Sequence, residues 1–260
     1  MTAGPVTVRL IANSGVYIRW GEKQILLDAI YGENQYFSPP QKEIKKAVFG
    51  LTSRYRNVEH VLFTHRHTDH FHAPFVDEYA VYNAVKGIYV PVASPDPNSY
   101  LEDRRPLPKA AGRGVLREVV LREGETVEYT LAPDCTATFL RCRHLDGDTY
   151  DAVSHCAVLL TFEQKRLLFA ADADYCRENS ELFRTLGALN AVFVTPLLYA
   201  VSNGRNLLEK LGTEQVVLYH IPYEEDDSTG LRPLARRLAA ENTGPALMTA
   251  LMEPEQELIF

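Results

Sequence analysis

Apolar and polar positions alternate along residues 6–11, 15–20 and 24–28, and this period of two predicts three short, half-buried strands. Asn13-Ser14-Gly15 and Gly21-Glu22-Lys23 supply turn chemistry between them, so the chain is expected to open as an antiparallel meander. A loop with Tyr31, Tyr36 and Phe37 leads to Pro39-Pro40, behind which Ile44, Ala47, Val48 and Leu51 recur at helical spacing. Residues 58–64 form a continuous run of the buried-strand type. After them, Phe75, Val76, Tyr79, Ala80 and Val85 predict an amphipathic helix from Pro74 to about Gly87, and residues 88–92 a further strand.

The second half repeats this order without repeating the sequence. Residues 91–114 collect five of the fifteen prolines with Arg104, Arg105, Lys109 and Arg113, which predicts a long surface loop or lid. Strands are expected at 115–121, 126–131 and 136–142, with Arg122-Glu123-Gly124-Glu125 as the first turn. Residues 154–162 and 166–171 form a hairpin across Glu163-Gln164-Lys165. Leu182, Phe183 and Leu186 suggest a helix, 191–195 a strand closed by Pro196, Leu207, Leu208 and Leu211 another helix, and 215–219 a final buried strand. Each half thus runs from a meander into alternating helix and strand. That order predicts an α/β or α+β chain of two mixed sheets packed face to face, with helices outside. No break in composition divides it, so residues 1–260 are expected to form a single domain.

With 46% hydrophobic and 23% charged residues, the 260-residue chain can bury a large core. Its formal net charge of -7 argues against a surface that grips a nucleic-acid backbone. No stretch approaches a membrane span, and the opening MTAGPVTVRL lacks a secretory pattern; a cytoplasmic location is the expectation. Cys135, Cys142, Cys156 and Cys176 match neither a zinc ribbon nor a CxxC pair and are expected to be reduced and buried.

One segment does not fit a packing role. His65-Arg66-His67-Thr68-Asp69-His70 puts three imidazoles and a carboxylate within six residues, directly after a buried run. Burying those groups without partners costs several kcal/mol each, by order of magnitude, and a divalent cation satisfies them together. Three further predicted strands also end near a candidate ligand: His144, Asp172 and His220. Strand ends that converge on one rim build sites. His65, His67 and His144 would form an open three-nitrogen set for one zinc, and Asp69, His70 and His220 a second set, with Asp172 bridging. Asp174 is the alternative to Asp172, which ends its strand more directly. Asp28 and His155 are candidates to support the ligands rather than bind metal. His60 reads as a surface or packing residue and His72 as part of a helix start. The acid run Glu224-Glu225-Asp226-Asp227 would repel a polyanion if it faced the site, whereas Arg54, Arg56, Arg66, Arg104 and Arg105 could receive a phosphate. The sequence leaves both readings open.

The set HRHTDH, RCRHLDGD, LLFAADADY and VVLYHIPY resembles the metallo-β-lactamase superfamily: an HxHxDH motif, a separate His, a bridging Asp and a last His, each after a strand. The likeness covers nearly the whole chain and implies a four-layer αββα sandwich. It implies a metal-dependent hydrolase with two zinc ions, or Mn2+ or Fe2+ in their place, about 3.5 to 4 Å apart around a bridging hydroxide. Asp69 would orient that hydroxide as well as bind metal. Departures narrow the activity. Drug-hydrolysing members carry Cys in place of the bridging Asp and are secreted; flavodiiron members carry Glu where His67 stands; the His-Thr-Pro-Gly-His-Thr run of glyoxalase II is absent at His144. A small ester, lactone or phosphodiester substrate is therefore expected. An RNA-processing nuclease, an oxygen-using non-heme iron enzyme and a non-catalytic metal-stabilised module are the alternatives.

Overall fold

The computed structural model describes residues 4–34, 37–50, 55, 57–96, 99 and 101–260. Tyr36, Leu51, Arg54 and Arg56 lie outside the described residues.

The opening meander forms as β1 (Val6–Ala12), β2 (Gly15–Trp20) and β3 (Lys23–Leu27), each antiparallel to the next. Crossovers through α1 (Lys42–Val48) and α2 (Ala73–Tyr82) then add β4 (His60–Leu62) and β5 (Gly87–Pro91) in parallel. After α3 (Pro108–Gly112), β6 (Leu116–Val119) closes that side. The second half starts again with an antiparallel run, β7 (Thr126–Ala132), β8 (Cys135–Arg141), β9 (Cys156–Phe162) and β10 (Lys165–Ala171), with α4 (Gly147–Tyr150) between β8 and β9. Parallel strands β11 (Ala191–Val194) and β12 (Gln215–Leu218) follow, reached through α5 (Arg177–Arg184), α6 (Pro196–Ala200) and α7 (Ser202–Leu211).

Strand 215–219 is not the last. A 3-10 turn (Glu224–Asp226), α8 (Leu231–Ala240) and β13 (Leu247–Ala250) extend the second sheet, and β14 (Glu257–Ile259) returns to pair with β1. Among the described residues both sheets have seven strands, in the orders β14-β1-β2-β3-β4-β5-β6 and β13-β12-β11-β10-β9-β8-β7. Three apolar cores separate the layers. Val8, Ile18, Leu27, Phe139, Val158, Phe169 and Phe193 fill the space between the sheets. Ile44, Val76, Tyr79 and Ala110 pack helices on the outside of the first sheet, and Phe183, Leu198, Leu207 and Ala235 do so on the second. The result is the expected αββα sandwich.

Other boundaries shift for local reasons. The run 58–64 is strand only at His60–Leu62, although the Phe63 amide still donates to the Tyr89 carbonyl (3.0 Å). The second helix ends at Tyr82, and Gly87, where a Cβ would lie 2.7 Å from the Tyr89 ring, begins β5. The proline-rich segment is not wholly loop, since α3 forms where Asp77 accepts the Lys109 and Ala110 amides. His155 precedes β9 rather than lying in it. His60 is buried and its Nε2 donates to the Leu131 carbonyl (3.1 Å), a tie between the two sheets. All four cysteines are free; three are buried and Cys176 is half-buried. No helix among the described residues is long and apolar enough to cross a membrane.

Candidate metal centre

The seven residues marked by the sequence meet on one rim. Four of them, His65, His67, His144 and Asp172, offer ligand atoms within 4.8 Å of one another, and Asp69, His70 and His220 form a second such group. Asp172 touches both: its Oδ2 lies 3.5 Å from His65 Nε2 and from His144 Nε2 and 3.1 Å from His70 Nε2, and its Oδ1 lies 3.3 Å from His220 Nε2. Asp69 Oδ2 stands 3.5 Å from His220 Nε2 and 3.7 Å from His70 Nε2.

Strand ends aim these side chains, and three of the turns use backbone that non-glycine residues rarely adopt. Asp28 after β3, Ala171 at the end of β10 and His220 after β12 have φ of 52°, 47° and 59°. The pairing of β10 with β11 shifts register between Phe169 and Ala171, which swings Asp172 off the strand line. The Asp172 carbonyl accepts the Leu145 amide (2.6 Å), so the Asp172 and His144 loops are laced together.

Hydrogen bonds fix which nitrogen of each ring faces inward. Asp28 Oδ2 accepts from Thr64 Oγ1 (2.7 Å) and from His70 Nδ1 (3.0 Å), and its Oδ1 accepts the Thr64 amide (2.8 Å). Because the Thr64 hydroxyl donates to Asp28, it accepts from His65 Nδ1 at 3.0 Å. His144 Nδ1 donates to the Leu145 carbonyl at 2.6 Å. In each ring the proton therefore sits on Nδ1, and the Nε2 lone pair points into the rim. Buried Nε2 atoms of His65, His67 and His144 have no hydrogen-bond partner among the described residues, and His70 and His220 present Nε2 to each other at 2.8 Å. A divalent cation resolves both conditions, so the donor set fits two adjoining metal sites.

The electrostatics differ between the two donor sets. Burial keeps His65 well below the ordinary imidazole range and lowers His67 to about 4, which leaves both neutral, as a ligand must be. Burial opposes charge on His70 and His220 too. The carboxylates outweigh it, chiefly Asp69 and Asp172 around His70 and Asp172 beside His220, lifting the first well above its usual value and the second to about 9. Asp172 is also penalised by burial, yet His220 and His70 hold it well below the carboxylate range. Every ion pair found at Asp28, Asp69 and Asp172 among the described residues is to an imidazole, none to Lys or Arg.

The remaining candidates separate cleanly. Asp28 supports His70 as described. His155 is buried with its ring 5.0 Å from that of His65 and 5.4 Å from that of His144, but its Nδ1 faces Cys142 Sγ (3.2 Å), so it contacts those two rings by packing. Asp174 accepts the Tyr175 amide and stays outside the cluster. His72 caps α2, accepting the Phe75 amide. Arg66 turns away from the rim, donating to the Asp103 and Arg105 carbonyls (2.7 Å each). The acid run is partly engaged: Asp226 accepts from Ser38, and Asp227 accepts the first amides of α8.

Four contributors escaped the pattern reading. Asn13 Nδ2 donates to the Asp69 carbonyl (3.1 Å), and Ser14 Oγ lies 3.2 Å from His70 Nδ1; both stood out only as turn residues. Phe37 packs edge-on against His220, and Tyr150 lies against His67 and His144. No spacing signal marks either ring.

Comparison with known proteins points the same way. The family described as Beta-lactamase superfamily domain matches residues 23–221. No curated protein matches the sequence itself. Among solved structures, Igni18, a metallo hydrolase of Ignicoccus hospitalis KIN4/I, is 14% identical, with 98% of each chain covered and a TM-score of 0.63. The metallo-beta-lactamase fold protein YhfI of Bacillus subtilis is 14% identical over 98% of this chain and 100% of its own, with a TM-score of 0.62. CmlA, a diiron beta-hydroxylase of Streptomyces venezuelae, is 16% identical with a TM-score of 0.63, covering 100% of this chain but 54% of its own.

Proposed function

The chain belongs to the β-lactamase superfamily, and from that premise we propose that it is a metal-dependent hydrolase of a small ester, lactone or phosphodiester. The observation that carries the reading is the pair of adjoining donor sets with Asp172 in reach of both. His65, His67 and His144 would hold one ion and Asp69, His70 and His220 the other; imidazole and carboxylate donors suit zinc first, then Mn2+ or Fe2+. When bound, such ions lower the pKa of water to roughly 7, so hydroxide is available at neutral pH, and they polarise a carbonyl or phosphoryl oxygen.

The chain's own groups do the rest. Asp28 and Thr64 fix the tautomers of His70 and His65. Asp69 is the most open of the carboxylates, its side chain 16% exposed against 13% for Asp172 and 0% for Asp28. In this reading Asp69 would orient the attacking water as well as bind metal. The net charge of -7 supports a small molecule over nucleic acid as substrate.

The test combines metal counting with a substrate panel of phosphodiesters, lactones, thioesters and β-lactams after Zn, Mn or Fe reconstitution. Two metal equivalents per chain are expected, and His67→Ala should reduce turnover to below about one-hundredth. Turnover by fully metal-free protein sinks the reading.

A further inference from the structure

Near His220 lies a cavity of about 490 Å³, lined in part by Phe37, Leu197, Pro222, Asp226, Leu231 and Leu234. That volume lies within the range of small-molecule sites, about 300–1,000 Å³. Phe37 connects cavity and rim: it lines the one, and its ring centroid is 5.0 Å from that of His220. Pro222 stands two residues beyond His220, and Leu197 follows the proline that starts α6 after β11. The cavity thus lies off the carboxyl ends of β11 and β12, the rim that carries the donor sets.

Its charge discriminates between substrates. Among the described lining residues none is Lys or Arg. Its carboxylate, Asp226, accepts the Ser38 amide (2.8 Å) and hydroxyl (2.9 Å), while Glu224 and Glu225 beside it are exposed. Of the arginines named as phosphate candidates, the described ones, Arg66, Arg104 and Arg105, line a different cleft: Arg66 is bound to two carbonyls, and Arg105 grips Asp103 with Nε (2.8 Å) and Nη2 (2.7 Å). An anionic ester would meet the Asp226 carboxylate here, with no cationic side chain among the described lining residues to offset it. An apolar group would bury against Phe37, Leu197, Leu231 and Leu234.

Resting on the hydrolase reading above, we propose that this cavity selects a neutral carboxylic ester by taking up its apolar acyl chain, with Phe37, Leu197 and Leu234 as the specificity-determining residues. In the reaction the water oxygen bonds to the acyl carbon and the bond from that carbon to the alkoxy oxygen breaks. One water proton ends on the alcohol and the other leaves with the acid, and no electrons change hands.

The experiment compares p-nitrophenyl acetate, p-nitrophenyl hexanoate and bis(p-nitrophenyl) phosphate on the metal-loaded protein, and follows hexanamide and acetamide binding by saturation-transfer NMR. The variants are Leu197→Asp, at a side chain 44% exposed and so tolerant of change, and Leu234→Phe, which fills the cavity. Expected is a kcat/KM for the hexanoate roughly tenfold or more above the acetate. Both variants should erase that preference and the hexanamide contact. Equal kcat/KM for the two esters, a preference that survives in both variants, or faster turnover of the phosphodiester overturns the assignment. Should no ester be turned over while hexanamide binds the wild type and neither variant, the cavity assignment stands and the hydrolase reading falls.

Discussion

Asp28 has no exposed surface, and its two oxygens serve the Thr64 amide, the Thr64 hydroxyl and His70 Nδ1. An amide in its place keeps the shape but can present NH2 where Oδ2 now stands. That reverses the Thr64 hydroxyl and moves the His70 proton to Nε2, the atom that faces the rim. Asp28→Asn is therefore expected to weaken metal binding by about 10- to 100-fold, measured by competition with a chromophoric chelator; unaltered affinity contradicts the tautomer argument. Ala171 holds φ at 47° with no side-chain hydrogen bond to compensate. A left-handed alanine costs about 1–2 kcal/mol, of which the extra freedom of an unfolded glycine returns roughly 0.4–1. Ala171→Gly should thus raise stability by about 0.5–1 kcal/mol, read as a higher urea midpoint at constant slope. The seven rim residues were legible in the sequence because each follows a predicted strand. Asn13, Ser14, Phe37 and Tyr150 were not, because their proximity arises from chain segments brought together across the fold.

At the level of elements, the segment between β5 and β6 is tied to the motif by the one arginine inside it. Arg66 reaches two carbonyls of that segment, lies 4.7 Å over the Phe71 ring, and returns its own carbonyl to the Asp103 amide. Asp103 in turn accepts the Ala73 amide at the start of α2. Lysine cannot reproduce a planar fork on two carbonyls. Arg66→Lys should cost about 1–3 kcal/mol and speed protease cleavage near residues 101–105, followed by denaturant titration and limited proteolysis. If cleavage there is unchanged, the strap is not what holds the segment. The sequence read this stretch as a loop or lid from its prolines; the bonds that hold it are long-range and carry no local pattern. β14 escaped for a related reason: its three residues are partly exposed, and its pairing with β1 makes them a strand.

Across the whole molecule, the sheet sandwich converges three carboxylates and five imidazoles on one end, and among the described residues none of those carboxylates is ion-paired to a lysine or arginine. Ions that bind the folded chain alone stabilise it by mass action, about 2.7 kcal/mol at a hundredfold excess over Kd. Chelation should lower Tm by about 5–10 °C for a chain of this size, reversed by adding zinc, as calorimetry would show. A Tm indifferent to chelator argues against occupied sites. By itself, the sequence determined the two meanders, the crossover helices and the identity of the seven rim residues, because period, turn chemistry and strand-end position are local properties of the chain. Tertiary structure alone decided that Asp28 and not His155 hydrogen-bonds to a rim imidazole, and that the described candidate arginines face a cleft apart from the cavity near His220. Those outcomes depend on how two sheets register and how loops from opposite halves meet, and contacts between residues far apart in the chain leave no periodic trace in it.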